Sequence, residues 1–286
     1  MSAKLLDISN KIDSSTLEVL KLISEAADSV QANFFIIGAA ARDIIFNLVH
    51  NINIYRATND IDFGVRLKNW DDYKKLTDAL LAKGFSSSNI VHKFQYKSIP
   101  GIDIIPFGKI SLNSSSIIWP DNQAKAMNVL GFEECFRDIQ LVKIISNPDL
   151  IIKIASIRGL VIMKLIAWKD GYPSRSRDAL DILYIIRNYI DAGNSERLFK
   201  ENKDLVNDEF DYELTGAKLL GRDIAKLASP ATLTFIKEIL DNELKNPESS
   251  QFIIDIISSY LLLANTDKNR KHLLNLITNL RLGMNI

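Results

Sequence analysis

The sequence has few of the residues that mark disulfide-bonded and zinc-binding proteins. Cys135 is the single cysteine among 286 residues, which excludes an intrachain disulfide and indicates a reducing compartment, so we expect a cytoplasmic protein. A half-buried structural role for this thiol is favoured over a nucleophilic one. The three histidines, His50, His92 and His272, are scattered and lack the spacing of a zinc site.

A charge surplus and a long apolar run are also absent. Lysine plus arginine equals aspartate plus glutamate at 35 each, so the overall basic bias of many nucleic-acid binders is missing, although a local basic patch is compatible with this balance. No apolar stretch reaches membrane-spanning length, and Met1–Lys4 opens no signal run, so we expect no membrane contact. A composition of 47% hydrophobic and 24% charged residues indicates one large or two medium globular domains.

The most informative stretch begins with an apolar run, Phe34–Ile37, that predicts a buried strand. Small residues follow it, starting with Gly38 and Ala39, and they predict a turn into a helix that continues to about Val49. The first N–H groups of a helix lack intrahelical partners, and together with the positive end of the helix dipole they bind phosphate well. Gly38 and Ala39 are therefore candidate contacts for a triphosphate.

Three aspartates in this region alternate with branched or aromatic residues. Successive side chains of a strand face opposite sides, so Asp60 and Asp62 project together while Ile61 and Phe63 enter a core; Asp103 lies in a similar apolar run. Three bare carboxylates on one surface would repel one another, and divalent ions would relieve this repulsion. Oxygen ligands suit Mg²⁺, with Mn²⁺ as the alternative. The pattern predicts a metal site made by Asp60, Asp62 and Asp103.

Taken together, these motifs resemble the nucleotidyltransferase superfamily typified by DNA polymerase beta. Four segments are similar to the AbiEii/AbiGii group, whose members are toxins of abortive-infection and type IV toxin–antitoxin systems: Gly38–Asp43, Ala57–Phe63, Asp103–Gly108 and Lys164–Trp168. The resemblance implies an α+β fold, a nucleotidyltransferase-like mixed sheet flanked by helices and followed by a mainly helical C-terminal domain. It also implies transfer of NMP from an NTP to a hydroxyl, with RNA, particularly a tRNA 3′ end, as the acceptor, and a cognate antitoxin as a partner.

The sequence changes to a helical character at about Ile157. We therefore predict a nucleotidyltransferase domain over residues 1–156 and a helical domain over residues 157–286 that completes the active-site cleft. Two rival functions stay open: a nucleotidyltransferase that modifies a small molecule, such as an aminoglycoside, or a protein hydroxyl, and a non-catalytic nucleotide-binding protein on the same fold.

Lys164 stands in a mainly apolar helical segment. Burying a lysine without a partner is costly, so we expect it to face an anion. In a nucleotidyltransferase that anion is the triphosphate, as the resemblance also implies. The alternative is a lysine that extends its ammonium from a half-buried helix into water.

The resemblance also places a basic-acidic element, Arg177, Asp178 and Asp181, at the nucleotide site. The alternative is helix capping with ordinary ion pairs, such as an i,i+4 pair between Arg177 and Asp181. Three roles are open for Arg42 near the glycine turn: contact with phosphate, pairing with a carboxylate of the site to hold it in place, and a plain surface role.

The polar segment from Ile110 to Gln123 predicts a loop beside the site. Trp119 within it either stacks on a base or packs in the interior. Two strands, Ile139–Ile145 and Leu150–Ala155, are predicted at the edge of the sheet, joined by a turn.

Overall fold

Eight strands in the described part of the chain form a mixed β-sheet, the framework of the first half of the molecule. The computed structural model describes residues 5–97, 99–113, 115–120, 122–206, 210–259 and 266–285. Together with two strands outside this sheet, β7 and β8, the described strands are β1 (Leu5–Asp7), β2 (Asn33–Ile37), β3 (Asp60–Leu67), β4 (Ser86–Ser87), β5 (Lys93–Tyr96), β6 (Ile99–Gly108), β7 (Ser116–Trp119), β8 (Asn122–Asn128), β9 (Ile139–Ser146) and β10 (Asp149–Ala155). The chain divides into two compact units, Met1–Ser156 and Ile157–Ile286.

The sheet has the strand order β1-β9-β10-β2-β3-β6-β5-β4. β3 lies between β2 and β6, antiparallel to β2 and parallel to β6. β9 and β10 confirm the two strands predicted there; they pair antiparallel beside β2, and β1 rather than β9 forms the edge. Burial alternates along part of each strand, with Val142 and Ile144 buried in β9 and Ile152 and Ile154 in β10, so each strand buries one face.

Helices of the N-terminal unit connect and cover these strands. They are α1 (Ser14–Ser29), α2 (Gly38–Asp43), α3 (Trp70–Ala82) and α4 (Phe132–Arg137), with α2 continuing as a π-helical segment, Ile44–Val49. The α1 helix begins at a cap in which the Asp13 carboxylate accepts a hydrogen bond from the Thr16 N–H. α4 contains Cys135, which is fully buried, and burial raises the pKa of its thiol. The cysteine is therefore structural.

The segment predicted as a loop between Ile110 and Gln123 contains strand structure instead. β7 and the start of β8 lie within it and form a two-stranded antiparallel hairpin separate from the main sheet. The prediction was wrong because polar residues outnumber apolar ones there, whereas burial of Ile117 and Trp119 decides the conformation. The Trp119 ring contacts Trp70, Tyr73 and His92, so its packing alternative is confirmed.

The C-terminal unit is helical throughout its described elements. Its α-helices are α5 (Ile157–Asp170), α6 (Arg177–Asn188), α7 (Ser195–Glu201), α8 (Tyr212–Leu227), α9 (Pro230–Lys245), α10 (Gln251–Ser259) and α11 (Asp267–Gly283). Most of α5 is buried, including residues on all its sides, which makes it the central helix of this unit. No helix within the described ranges combines the length and apolar composition needed to cross a bilayer.

Candidate active site

The register of the central strands brings the three predicted acids onto one face of the sheet. Asp62 of β3 lies directly opposite Asp103 of β6, and Asp60 lies opposite Gly101. Residues in register on neighbouring strands share a face, as do residues two apart along one strand. Asp60 is exposed, and Asp62 and Asp103 are partly exposed, so all three carboxylates can be reached from solvent. Ile61, between the two acids of β3, is buried on the opposite face.

Two glycines make room for two of these carboxylates. A Cβ atom on Gly38 would lie 2.0 Å from Oδ2 of Asp62, and the φ of Gly38 is +68°, a conformation that favours glycine. A Cβ atom on Gly101 would lie 1.8 Å from Oδ1 of Asp60. Gly38 thus positions a carboxylate in addition to the phosphate role predicted for it. Gly101 was missed by the sequence reasoning, because only the register shows that it lies opposite Asp60.

The turn after β2 leads into the helix as predicted. Ile37 is the N-cap residue, and its side chain makes no capping hydrogen bond to the first turn. Gly38 and Ala39 are partly exposed. The first N–H groups of the helix therefore lack a side-chain cap at a position that solvent reaches, as a phosphate contact requires.

Arg42 is completely buried in α2. Its guanidinium binds the Asp43 carboxylate at 2.6 Å and donates hydrogen bonds to the Tyr55 hydroxyl and the Arg56 carbonyl. Of its predicted roles, this geometry corresponds to pairing with a carboxylate, here that of Asp43. A buried guanidinium held in this way supports the turn, and its contact with phosphate stays a prediction.

Lys93 of β5 binds the third acid. Its Nζ atom lies 3.0 Å from Oδ1 and 2.9 Å from Oδ2 of Asp103, which is directly opposite it in the antiparallel β5–β6 pair. The sequence reasoning missed this lysine, since its position opposite Asp103 depends on strand register and not on a local motif. In the described ranges, Asp60 makes no ion pair.

The donor chemistry of this face fits a divalent metal ion. Carboxylate oxygens are the ligands that Mg²⁺ prefers, and Asp60, Asp62 and Asp103 supply them from one side of the sheet. Over the residues described, no three His, Cys, Asp or Glu side chains already form a metal-binding group. In the present arrangement Asp103 is paired with Lys93, whereas in a three-carboxylate site it would bind the metal ion.

A pocket of about 540 Å³ opens beside Asp60 in the N-terminal unit. It is bounded by the beginning of α1, by α2 and by the beginning of β3, with Asp43, Thr58 and Asp60 in its lining. Ligand pockets in proteins commonly have volumes of about 300–1,000 Å³. Asp60 therefore borders a space large enough for a small organic substrate.

A second charged cluster lies within the C-terminal unit. Lys164 of α5 is buried, and its Nζ atom lies 2.9 Å from Oδ1 of Asp178 and 2.5 Å from Oδ2 of Asp181 on α6. Burial by itself would lower the pKa of Lys164, but the two carboxylates outweigh it and raise the pKa, so the ammonium stays charged. The predicted anionic partner is present, and it comes from the chain itself. The alternative of an ammonium extended into water does not apply.

The ion pairs of the neighbouring arginines differ from the predicted ones. Arg177 is exposed and makes no ion pair in the described part of the chain, so the predicted pair between Arg177 and Asp181 is wrong. Asp181 faces inward to Lys164 instead. Arg175, which the sequence reasoning did not select, binds Asp178 through its Nε atom at 2.8 Å. Of the four C-terminal candidates, the structure brings together Lys164, Asp178 and Asp181.

Comparison with known protein families identifies the family of this chain. Residues 27–258 match the family described as "Nucleotidyl transferase AbiEii toxin, Type IV TA system". The chain belongs to the AbiEii toxin family. AbiEii membership confirms the predicted enzyme class, a nucleotidyltransferase of a type IV toxin–antitoxin system with a nucleotide as substrate. The predicted α+β fold class is confirmed as well.

Two solved structures of ANT(2'')-Ia are also similar to this AbiEii chain. A solution structure of that antibiotic-resistance factor has 12% sequence identity and a TM-score of 0.34, over 68% of this chain and 95% of the other. A crystal structure of ANT(2'')-Ia with adenylyl-2''-tobramycin has 13% identity and a TM-score of 0.36, over 65% of this chain and 99% of the other. No match was found among curated proteins. Similarity this low does not decide the acceptor of the AbiEii chain.

Proposed function

We propose that this AbiEii protein transfers NMP from an NTP to a hydroxyl group of RNA, with a tRNA 3′ end as the preferred acceptor, and that a cognate antitoxin restrains it. The observation that carries the proposal is the register of β3 and β6. It aligns Asp60, Asp62 and Asp103 on one solvent-accessible face beside the Gly38 turn. Family membership supplies the reaction class, and the acceptor is our inference from the resemblance of the motifs.

In this proposal Asp60, Asp62 and Asp103 would hold Mg²⁺ or Mn²⁺. The bound ions would neutralise the charge of the phosphates and of the displacement. The N–H groups at Gly38 and Ala39 contact the triphosphate and orient its α-phosphorus. Asp103 helps to remove the proton of the acceptor hydroxyl. The acceptor oxygen then attacks the α-phosphorus, the bond to the β-phosphate breaks, and pyrophosphate leaves.

Lys164 is proposed to neutralise charge on the bound nucleotide. Because its ammonium already contacts Asp178 and Asp181, this role requires it to exchange one of these partners. A loss of nucleotide affinity in Lys164→Ala would support the role. Arg177, although exposed, remains a predicted nucleotide contact together with Asp178 and Asp181.

The test is an incubation of the purified protein with each labelled NTP, Mg²⁺ and total RNA. We expect label from at least one NTP on RNA and a loss of about 100-fold or more in Asp62→Asn, the size seen when one electrostatic contact to a transition state is removed. Asp78→Asn is the matched control, because Asp78 is an exposed acid of the same unit that pairs with Lys74. Label on a protein or small-molecule fraction of a cell extract instead would reject RNA as the acceptor.

Undiminished transfer by a folded Asp62→Asn protein would reject the proposed metal site.

A further inference from the structure

Lys93 is held in place by the strands that carry it. Its N–H donates to the Ile90 carbonyl at 2.8 Å, and the Ile104 N–H donates to the His92 carbonyl at 2.8 Å. The Tyr73 hydroxyl donates to the Val91 carbonyl at 3.3 Å. Burial, reinforced by the nearby charge of Asp103, raises the pKa of Tyr73, so this hydroxyl remains a neutral donor. The backbone register therefore places Lys93 next to Asp103 on the same face of the sheet.

Three charged residues form a row across neighbouring strands. Asp62 of β3 is opposite Asp103 of β6, and Asp103 is opposite Lys93 of β5, so all three share one face of the sheet. Adjacent strands are about 4.8 Å apart, which places the lysine two strands from Asp62 and one from Asp103. The Lys93 ammonium neutralises Asp103, the carboxylate that lies opposite Asp62 and would otherwise repel it.

A metal ion and this ammonium need the same oxygens. Both carboxylate oxygens of Asp103 lie within hydrogen-bond distance of the Lys93 ammonium. Mg²⁺ needs carboxylate oxygens at about 2.0–2.1 Å, and a second cation on the same carboxylate would be repelled by it. The Asp103 carboxylate can thus give both of its oxygens to only one of the two cations, the metal ion or the Lys93 ammonium.

We infer that Lys93 is a resident counter-ion that competes with the metal for Asp103 and weakens metal binding to the nucleotide-free enzyme. This inference rests on the proposed metal site. The Lys93 side chain is 39% exposed, whereas that of Asp103 is 16% exposed, so the lysine can turn into water and leave the carboxylate in place. Phosphate oxygens of a bound nucleotide add negative charge, which shifts the competition toward the metal. Binding of the metal by all three carboxylates then depends on the bound nucleotide.

The experiment measures Mn²⁺ binding to the full chain without nucleotide, by electron paramagnetic resonance of the free ion. Lys93→Met is expected to bind Mn²⁺ at least about tenfold more tightly than wild type, the effect of removing one repelling charge about 4 Å away at a protein surface. Lys93→Arg keeps the charge and is expected to bind as wild type does. Lys97→Met is the matched control, because Lys97 binds the Glu18 carboxylate through both oxygens, away from the row.

The Asp62→Asn variant distinguishes a failure of this inference from a failure of the proposed metal site. If Asp62→Asn loses Mn²⁺ binding while Lys93→Met stays within about twofold of wild type, the metal site stands and the competition is rejected. If Asp62→Asn binds Mn²⁺ as wild type does, the proposed site itself is rejected. Circular dichroism checks that each variant is folded. Lys93→Gln replaces Lys93→Met, with the same expectation, should the methionine variant not fold.

Discussion

Replacement of Lys164 by methionine is expected to destabilise the C-terminal unit severely. The lysine side chain is 5% exposed and binds Asp178 and Asp181, whose side chains are 7% and 1% exposed. Methionine fills a similar volume but leaves these carboxylates without the ammonium. Removing one partner of a buried ion pair costs about 3–5 kcal/mol. Asp178 also contacts Arg175, and the substitution leaves that contact in place.

Urea denaturation followed by far-ultraviolet circular dichroism measures this loss. Lys169→Met is the matched control on α5, since Lys169 is exposed and is expected to change stability by no more than about 0.5 kcal/mol. Combining Lys164→Met with Asp181→Asn removes one of the two carboxylates that lost the ammonium and is expected to recover at least half of the loss. A Lys164→Met protein as stable as the Lys169→Met control would refute the buried cluster.

The pH dependence gives an independent check of the same cluster. The pKa of Lys164 is raised in the folded protein, so its stabilising contribution is fully present below the ordinary lysine pKa of about 10.4. The contribution is lost as the pH rises through the higher folded value. The stability difference between wild type and Lys164→Met should therefore be constant from about pH 8 to 10 and should shrink above about pH 10.4. A difference that already shrinks as the pH rises from about 8 to 10 would contradict the assigned charge state.

Three further changes test other parts of the molecule. Gly38→Ala places a methyl group 2.0 Å from the Asp62 carboxylate at a positive φ, so transfer should fall about 100-fold or more in a protein that still folds by circular dichroism. Trp119→Ala removes a buried ring and should cost about 3–5 kcal/mol in urea denaturation, with Mn²⁺ binding unchanged; lost Mn²⁺ binding would contradict a packing role. Cys135 should resist thiol reagents in the native protein and react in urea, whereas rapid native reaction would contradict its burial.

The parts of the site that follow from local periodicity could be predicted from the sequence. A strand alternates its faces, so Asp60 and Asp62 had to share one, and the apolar neighbours fixed which face was buried. Lys93 could not be predicted in this way. Its place opposite Asp103 depends on the register between two strands, and a shift of one residue would move it to the other face.

Burial of Lys164 could be predicted from its apolar neighbours, whereas its partners could not. Spacing along α6 suggested that Asp181 pairs with Arg177 on the helix surface. The packing of α6 against α5 instead directs Asp181 inward, and an inward carboxylate needs the nearest buried cation. Helical spacing predicts which residues lie on the same side of one helix, but it does not predict which side packs against another helix. The partner of Lys164 is therefore a property of the packed unit.

The two lysine–carboxylate contacts differ in exposure, and exposure decides which of them can change partners. Lys93 reaches water, so its departure from Asp103 is compensated by hydration, and exchange with a metal is feasible. Lys164 is enclosed, so its departure would take the ammonium from two buried carboxylates without replacing it by water. A direct role of Lys164 toward a nucleotide consequently requires it to exchange Asp178 or Asp181 for the nucleotide. If Lys164→Ala lowers stability while the KM of the remaining transfer is unchanged, Lys164 acts by holding α5 to α6, whereas a raised KM assigns it to the nucleotide.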